Sequence, residues 1–439
     1  MAWKKEKFKT LIEHKSGYTW SKEQETKFPE PKTVRVLTVT NVQKELDLSS
    51  ELYLKDVSEV DKVKKAVSKD WSIAVSSNGN RSRIGNAVYI KEDSEYLFAS
   101  FLTAFKPKED SDILPDYFFR WLTSHNIQER ITAVSEGTTG LGNLDIRFLR
   151  NTEIEYPENP AEQTAIATIL SKVDEAIAAT QNSIKAAEKL KKALMQNLLT
   201  GKLKPDGSWR TEDEFYEDEK FGKVPMGWEV KKGKKIFKSY GSSSFDNINL
   251  SNQGDCIYMK VSDFSLEGNE LYIEKANIMF SYENNEGLKY CEPDYIVMSK
   301  RGEAIRKNRV RILAKRTLLD PNLMALKIID GNPLFFKFLL EQMNLQRFLE
   351  NSALPQLNNK DFYPRFYLYP PFEEQEEISN VLLNQHNLIR KKHFKIQTLQ
   401  RLKKSLMQNL LTGKVRLPQE FIAQFENAVA EPSIIEKEN

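Results

Sequence analysis

Residues 190–202 read LKKALMQNLLTGK, and residues 402–414 read LKKSLMQNLLTGK. Twelve of the thirteen positions agree, at an offset of 212. Twice that offset is 424, close to the 439 residues of the chain, so the sequence reads as nearly two copies of one module. A period this long is no solenoid, whose repeats run to about 20–50 residues. The offset also holds upstream. Gln163 falls on Gln375, Ile166 on Ile378, Leu170 on Leu382, Ile177 on Ile389 and Ile184 on Ile396, whereas Val173 falls on Gln385. Ile166, Leu170, Val173, Ile177 and Ile184 share one helical stripe. Proline precedes each start, in YPENPAEQ (156–163) and YPPFEEQ (369–375), and Thr200-Gly201 and Thr412-Gly413 mark the stops. Each copy therefore predicts a helix of roughly forty residues, about 60 Å long at 1.5 Å per residue. A single long apolar stripe needs a partner of equal length, and the other copy supplies it.

The segments before each helix have a different character. TVRVLTVTNV (33–42) and CIYMKVSDF (256–264) predict strands rich in β-branched and aromatic residues. WSIAVSSNGNRSRIGNAVYI (71–90) has a counterpart in YIVMSKRGEAIRKNRVRILA (295–314), each a strand, a Gly-containing basic turn and a strand. DYFFRWLTSHNIQERI (116–131) and LFFKFLLEQMNLQRFLEN (334–351) predict shorter helices. The expected order is a globular domain over 1–158, a long helix over 159–203, an acidic linker over 204–224, a second globular domain over 225–370, a second long helix over 371–415 and a tail over 416–439. The copies match closely in the helices and poorly in the globular parts, which points to related jobs on different targets.

Composition sets bounds. The chain is 40% hydrophobic and 29% charged, and it is too long for one ordinary core. No run approaches twenty apolar residues, and MAWKKEKFKT lacks the apolar core of a secretory signal, so a cytoplasmic protein with no membrane partner is expected. Cys256 and Cys291 are able in principle to pair, but two reduced thiols fit that compartment better. A net charge of +3 is weak for a nucleic-acid binder, yet an average hides patches. TEDEFYEDE (211–219) holds six acidic residues and no basic one, so basic residues are denser elsewhere, in KKEK, RSR, SKRG and RKNRVR. Each cluster is either a solvated face or part of a binding surface.

This order resembles the specificity subunit of Type I restriction–modification systems. The paired LKK(A/S)LMQNLLTGK ends, the EQ-initiated long helices and the PMGWE opening of the second module (225–229) carry the resemblance over essentially the whole chain. The first module opens with AWKKEKF instead, which leaves its N-terminal boundary open. The resemblance implies an α/β (α+β) protein of two pseudo-two-fold modules. Two target-recognition domains are separated by two long antiparallel helices that form a coiled coil. It implies a non-catalytic subunit whose domains each read one half of an asymmetric bipartite site in double-stranded DNA. Two adenine-N6 methyltransferase subunits, and two restriction subunits, dock on the frame. The chain itself binds no cofactor; S-adenosylmethionine belongs to the methyltransferase subunits and ATP with Mg to the restriction subunits. Physical reasoning agrees. Duplicate modules tend to pack with two-fold symmetry, major grooves on one face of DNA recur about every 34–36 Å, and a rod of about 60 Å is able to set that separation.

Three stretches have the chemistry to touch DNA. In the first domain the basic turn holds Ser77, Asn78, Asn80, Arg81 and Arg83; in the second it holds Lys300, Arg301, Glu303, Arg306, Lys307 and Arg309. Asn pairs with adenine and Arg with guanine through two hydrogen bonds each, and Glu accepts from a cytosine amine. The loops before the long helices, GTTGLGN (137–143) and LPQLNN (354–359), add Gln356, Asn358 and Asn359. Each loop also reads as an ordinary surface hairpin. For the protein partners the repeated ends are the candidates: Leu194, Met195, Asn197 and Leu198, with Leu406, Met407, Asn409 and Leu410. Lys191-Lys192 and Lys403-Lys404 suit a helix C-terminus and equally a partner or spacer phosphates.

Catalytic readings fail. GTTGLGN lacks the Lys-Ser/Thr ending of a P-loop. GNPLFF (331–336) only brushes against the methyltransferase Asn-Pro-Pro-Phe/Tyr signature, and Pro333 suits the first turn of a helix. His14, His125, His386 and His393 lack metal spacing, and neither cysteine belongs to a zinc pattern. Two rival functions remain, a stand-alone DNA-binding regulator and a structural coiled-coil adaptor.

Overall fold

The computed structural model describes residues 2–43, 45–135, 142–242, 254–285, 288–349 and 356–426. The repeats form two helices of 39 residues, Pro160–Leu198 and Phe372–Leu410, whose ends coincide at the offset of 212. The chain divides into two compact units, Met1–Gln181 with Phe394–Asn439, and Asn182–His393. Each unit therefore holds one globular part and half of each long helix.

Within each unit the two half-helices run antiparallel. In the first, Glu162 accepts two bonds from the Arg416 guanidinium at 2.7 Å, and Asp174 pairs with Lys403 at 2.6 Å. In the second, Gln385 Nε2 donates to the Ala187 carbonyl at 2.9 Å and Lys392 Nζ to Ser183 Oγ at 2.6 Å. The bond to Ala187 explains the one break in the apolar repeat, because a buried amide must find a partner. The rest of the stripe is buried at Ile166, Leu170 and Val173 in the first unit and at Ile184, Ile378 and Leu382 in the second, and half-buried at Ile177, Ile389 and Ile396.

The repeated Thr-Gly endings are helix caps. Gly201 and Gly413 have φ of 70° and 66°, a region that favours glycine. The Gly201 N–H bonds to the Leu198 carbonyl and the Gly413 N–H to the Leu410 carbonyl, and beyond each glycine the Leu203 N–H reaches the Asn197 carbonyl and the Val415 N–H the Asn409 carbonyl, so both copies close the helix end in the same way. Trp228 lies against Gly201, and Trp3 lies against Gly413. AWKKEKF and PMGWE thus supply the same tryptophan, although their alignment is hidden in the sequence.

The two globular parts share one sheet plan. In the first unit the antiparallel order is Ile12–Ser16, Leu102–Pro107, Ser72–Val75, Ala87–Tyr89. In the second it is Phe237–Tyr240, Leu323–Ile328, Ile296–Ser299, Val310–Leu313, with Tyr272–Ile273 added at the edge. Trp3–Lys7 pairs with Glu153–Pro157 as Glu229–Lys232 pairs with Phe366–Tyr369, and each pair leads into a long helix. A parallel pair recurs as well, Val34–Leu37 with Leu97–Phe98 and Cys256–Met259 with Thr317–Leu319. The central strands Ser72–Val75 and Ile296–Ser299 are buried along their whole length.

Several predicted elements are shorter than their patterns. The helix expected over 116–131 is two, Pro115–Leu122 and His125–Val134. Thr123 Oγ1 donates back to the Phe119 carbonyl and Ser124 is extended (φ −66°, ψ 146°), so local side-chain bonding ends the first helix. The helix expected over 334–351 begins at Pro333 and stops at Met343, where Asn344 takes φ 62° and its side chain caps a 3-10 turn, Leu345–Phe348. The strand expected over 33–42 is Val34–Leu37, because buried Asn41 bonds Thr38, Asp47 and Ser50 into a loop. The strand over 256–264 ends at Met259, where Asp263 accepts from the Lys260 N–H and opens a 3-10 turn. The linker is not featureless: Phe215–Asp218 and Gly222–Pro225 form an antiparallel hairpin. In the tail, Ile422 of Gln419–Ala423 is buried. Cys256 and Cys291 are free and buried. Burial pushes their thiols up, to about 11 and about 12, so both stay protonated at neutral pH.

Candidate nucleic-acid interface

In the first unit the buried strand Ser72–Val75 delivers the basic turn to a sheet edge. Ser77–Asn78 pairs antiparallel with Gly142–Asn143, and the Leu144 N–H donates to the Ser76 carbonyl at 2.8 Å. The basic turn and the end of the pre-helix loop, distant in sequence, thus form one edge, anchored by buried Leu144. Asn78 Oδ1 accepts from the Asn80 N–H, and Asn80 Oδ1 accepts from the Ser82 N–H and hydroxyl. These bonds shape the turn and bring Arg81 to the surface. Arg83 has another task. Its Nη2 donates to the Val39 carbonyl at 2.9 Å and the Val42 carbonyl at 2.8 Å, which ties the 38–43 loop to the turn.

The second unit repeats the arrangement with different side chains. Ile296–Ser299 delivers Lys300, whose carbonyl accepts from the Leu357 N–H at 2.9 Å, and Arg301 bridges to Gln356. Gly302 at φ 69° opens the 3-10 turn Gly302–Lys307. Arg301, Arg306 and Lys307 are exposed there, with Glu303 paired to Arg306 at 3.1 Å. Arg309 Nη1 donates to Ser265 Oγ at 2.8 Å. Gln356 Nε2 donates to Asn358 Oδ1 at 3.0 Å, the Asn358 N–H donates to Asp361 Oδ2 at 2.6 Å, and exposed Asn359 opens a short turn of helix whose other end, Asp361-Phe362, is buried. Lys300, Asn358 and Asn359 also line a cavity of about 470 Å³ with Tyr240, Met324 and Lys360. In each unit the structure thus brings the two predicted loops together. Residues 137–141 and 354–355 of those loops lie outside the described residues.

The apolar residues of the predicted partner-binding motif pack into the two cores. Met195 and Leu198 are buried in the core of the second unit, and Met407 and Leu410 in that of the first. Leu194 and Leu406 are half-buried against the same cores. Burial of each such side chain stabilises by about 1.5–3 kcal/mol, so packing by itself accounts for the repetition. Asn197 and Asn409 remain partly accessible. Exposed apolar groups on the helices lie elsewhere: Leu190 and Leu388 in the second unit, Phe394 and Leu402 in the first. Leu190 and Leu402 open the thirteen-residue repeat itself, whereas Leu388 and Phe394 fall opposite Ala176 and Asn182 and lie outside it.

Sequence reading misses what the repeated Glu-Gln does. Gln163 Oε1 accepts from the Leu114 N–H at 2.8 Å while Nε2 donates to the Asp112 and Pro157 carbonyls. Gln375 Oε1 accepts from the Asn332 N–H at 2.8 Å while Nε2 donates to the Pro370 carbonyl. Each buried glutamine therefore pins the peptide that begins a Pro-led helix, Pro115–Leu122 or Pro333–Met343, to the start of a long helix. The preceding glutamate locks the other long helix's exit. Glu162 holds Arg416, and Glu374 holds Arg210 at 2.5 Å and Trp228 Nε1 at 2.8 Å. The recurrence of EQ at the 212 offset is the signal that marks these residues. Among the described residues no three His, Cys, Asp or Glu side chains are grouped to hold a metal ion. No described helix is long and apolar enough to cross a membrane.

Comparisons bear on this geometry. Residues 2–189 match the family described as Type I restriction modification DNA specificity domain. The chain is 24% identical over 329 residues to the Type I restriction enzyme MjaIX specificity subunit of Methanocaldococcus jannaschii, covering 70% of each chain. It is 23% identical over 429 residues to the putative type I restriction enzyme MjaX specificity subunit of the same organism, covering 94% of each. Its fold is similar to that of the Type I restriction–modification S subunit from M. genitalium, with a TM-score of 0.56 and 16% identity, over 93% of this chain and 96% of that one.

Proposed function

We propose that the chain is a specificity subunit of a Type I restriction–modification system, and that each of its globular domains reads one half of an asymmetric bipartite DNA site. The paired long helices set the unread spacer and scaffold two adenine-N6 methyltransferase subunits, and in a restricting complex two restriction subunits. The observation that supports this most is the repeated convergence of loops. Ser77–Asn78 with Gly142–Asn143 in one unit, and Arg301 with Gln356 in the other, occupy matching places on matching sheets but carry different side chains. One scaffold with two reading edges suits two different half-sites. The chain carries no chemistry in this reading. S-adenosylmethionine and ATP with Mg are used by the partner subunits. Partner contact falls to the exposed faces of the long helices, where Leu190, Leu388, Phe394 and Leu402 are the apolar anchors and Asn197 and Asn409 flank them. Such accessible groups are better placed for a partner than the buried Met195, Leu198, Met407 and Leu410.

The test is co-expression with the neighbouring methyltransferase subunit and single-molecule mapping of N6-methyladenine in the host genome. The expected result is one asymmetric two-part motif methylated on both strands. A stable complex that methylates nothing new would refute DNA reading by this chain. Absence of any complex would favour the adaptor or the stand-alone regulator.

A further inference from the structure

The basic turn of the first unit has a third neighbour. The turn Ala99-Ser100-Phe101 connects Leu97–Phe98 to the core strand Leu102–Pro107. The Phe101 carbonyl accepts from both the Ser76 N–H, at 2.9 Å, and the Ser77 N–H, at 3.2 Å. This turn is pinned on its other side too. The Ala99 N–H donates to the Leu37 carbonyl, and Gly17 packs so closely on Ala99 that a Cβ there would stand 1.9 Å from its carbonyl oxygen. The backbone is thus fixed, yet the Phe101 ring is 54% exposed. A single exposed apolar side chain is ordinary. This one differs in standing on a rigid turn between core strands, bonded directly to the residues of the reading edge. The second unit marks the same station. There the Lys300 N–H donates at 2.7 Å to the Asn322 carbonyl, on the turn between Thr317–Leu319 and Leu323–Ile328, and Asn322 is exposed. The two domains therefore carry a phenyl ring and an amide at one equivalent place beside the basic turn.

In the major groove the only apolar group that any base pair presents is the thymine 5-methyl. A phenyl ring has no hydrogen bond to offer a base edge, so that methyl is the one feature it is able to select. We propose that Phe101 is a specificity-determining residue that covers a thymine methyl in the half-site read by the first domain, while Asn322 marks the polar counterpart in the second. This rests on the DNA-reading function proposed above.

The test uses the complex of the full chain with its methyltransferase subunit. Its methylation map defines both half-sites. Each thymine of the half-site is then replaced singly by uracil in a synthetic duplex, which deletes only the methyl. One replacement should weaken binding by the wild-type complex about four-fold, the value of one buried methyl. With Phe101→Ala that duplex and its thymine parent should bind alike, and recognition of the other half-site should be unchanged. Phe101→Leu should keep most of the discrimination. The ring's exposure and the retained backbone bonds predict an unaltered melting temperature for both variants. The inference is overturned if no thymine is uracil-sensitive, or if Phe101→Ala keeps the same sensitivity. A complex with no bipartite motif would overturn the functional reading as well, and the methylation map alone tells these failures apart.

Discussion

Replacing Gly201 by Ala should destabilise the chain more than replacing Gly413 by Ala, although both stand at the same place in the thirteen-residue repeat. Both substitutions force Cβ into the left-handed region, at a cost of about 1–2 kcal/mol. Both regain about 0.4–1 kcal/mol through a stiffer unfolded chain. Surroundings separate them. A Cβ at 413 would meet the Trp3 ring at 3.2 Å, and Trp3 Nε1 makes no hydrogen bond among the described residues, so a small tilt relieves the contact. A Cβ at 201 would stand 2.2 Å from Pro225 Cγ and 3.1 Å from Trp228. Trp228 is buried and bonded to Glu374, and Pro225 ends the hairpin strand, so neither gives way cheaply. Overpacking of this kind adds about 1–3 kcal/mol. The expected losses are about 1 kcal/mol for Gly413→Ala and about 2–4 kcal/mol for Gly201→Ala. Urea unfolding followed by tryptophan fluorescence reads them. A chain of two compact units need not unfold in one step, so the midpoint of each transition is compared with the wild type. Equal shifts, or a larger one for Gly413→Ala, would refute the reasoning.

Arg120 is almost fully buried and bonds Asp116, Asp174 and Ser171. Arg120→Met should cost about 2–3 kcal/mol, below the usual 3–5 for a broken buried pair, since Lys403 still neutralises Asp174; denaturant midpoints check this. Burial, with Lys191 and Lys337 nearby, lowers His386 to about 4. The unfolded chain takes up that proton first, so stability that is full above about pH 6.5 is lost as pH falls towards 4. Discounted for partial exposure, the loss is about 1 kcal/mol at pH 5, and His386→Leu should flatten that slope between pH 7 and 5 in thermal melts. Arg301→Ala should weaken recognition of one half-site about 10–100-fold and spare the other in a methylation assay. Arg83→Ala should instead lower the unfolding midpoint, because its guanidinium holds the Val39 and Val42 carbonyls.

The sequence alone determined the repeat, its period, and two helices whose bounds, Pro160–Leu198 and Phe372–Leu410, keep the offset of 212. Apolar spacing, proline starts and glycine stops act over a few residues, so they are legible without a fold. It also identified both basic turns, since a strand, a Gly-containing basic run and a strand make a local pattern. Only the tertiary structure decided which segments meet. Ser77 faces Asn143, and Arg301 faces Gln356, through pairings between distant stretches that no local pattern encodes. Phe101 and Asn322 are equivalent only because each turn bonds the basic loop beside it. Trp3 and Trp228 are equivalent only because each covers a cap glycine. That the twice-written Met and Leu lie in two cores was also visible only in the structure, because an apolar stripe looks the same in sequence whether a foreign subunit or the chain's own domain covers it.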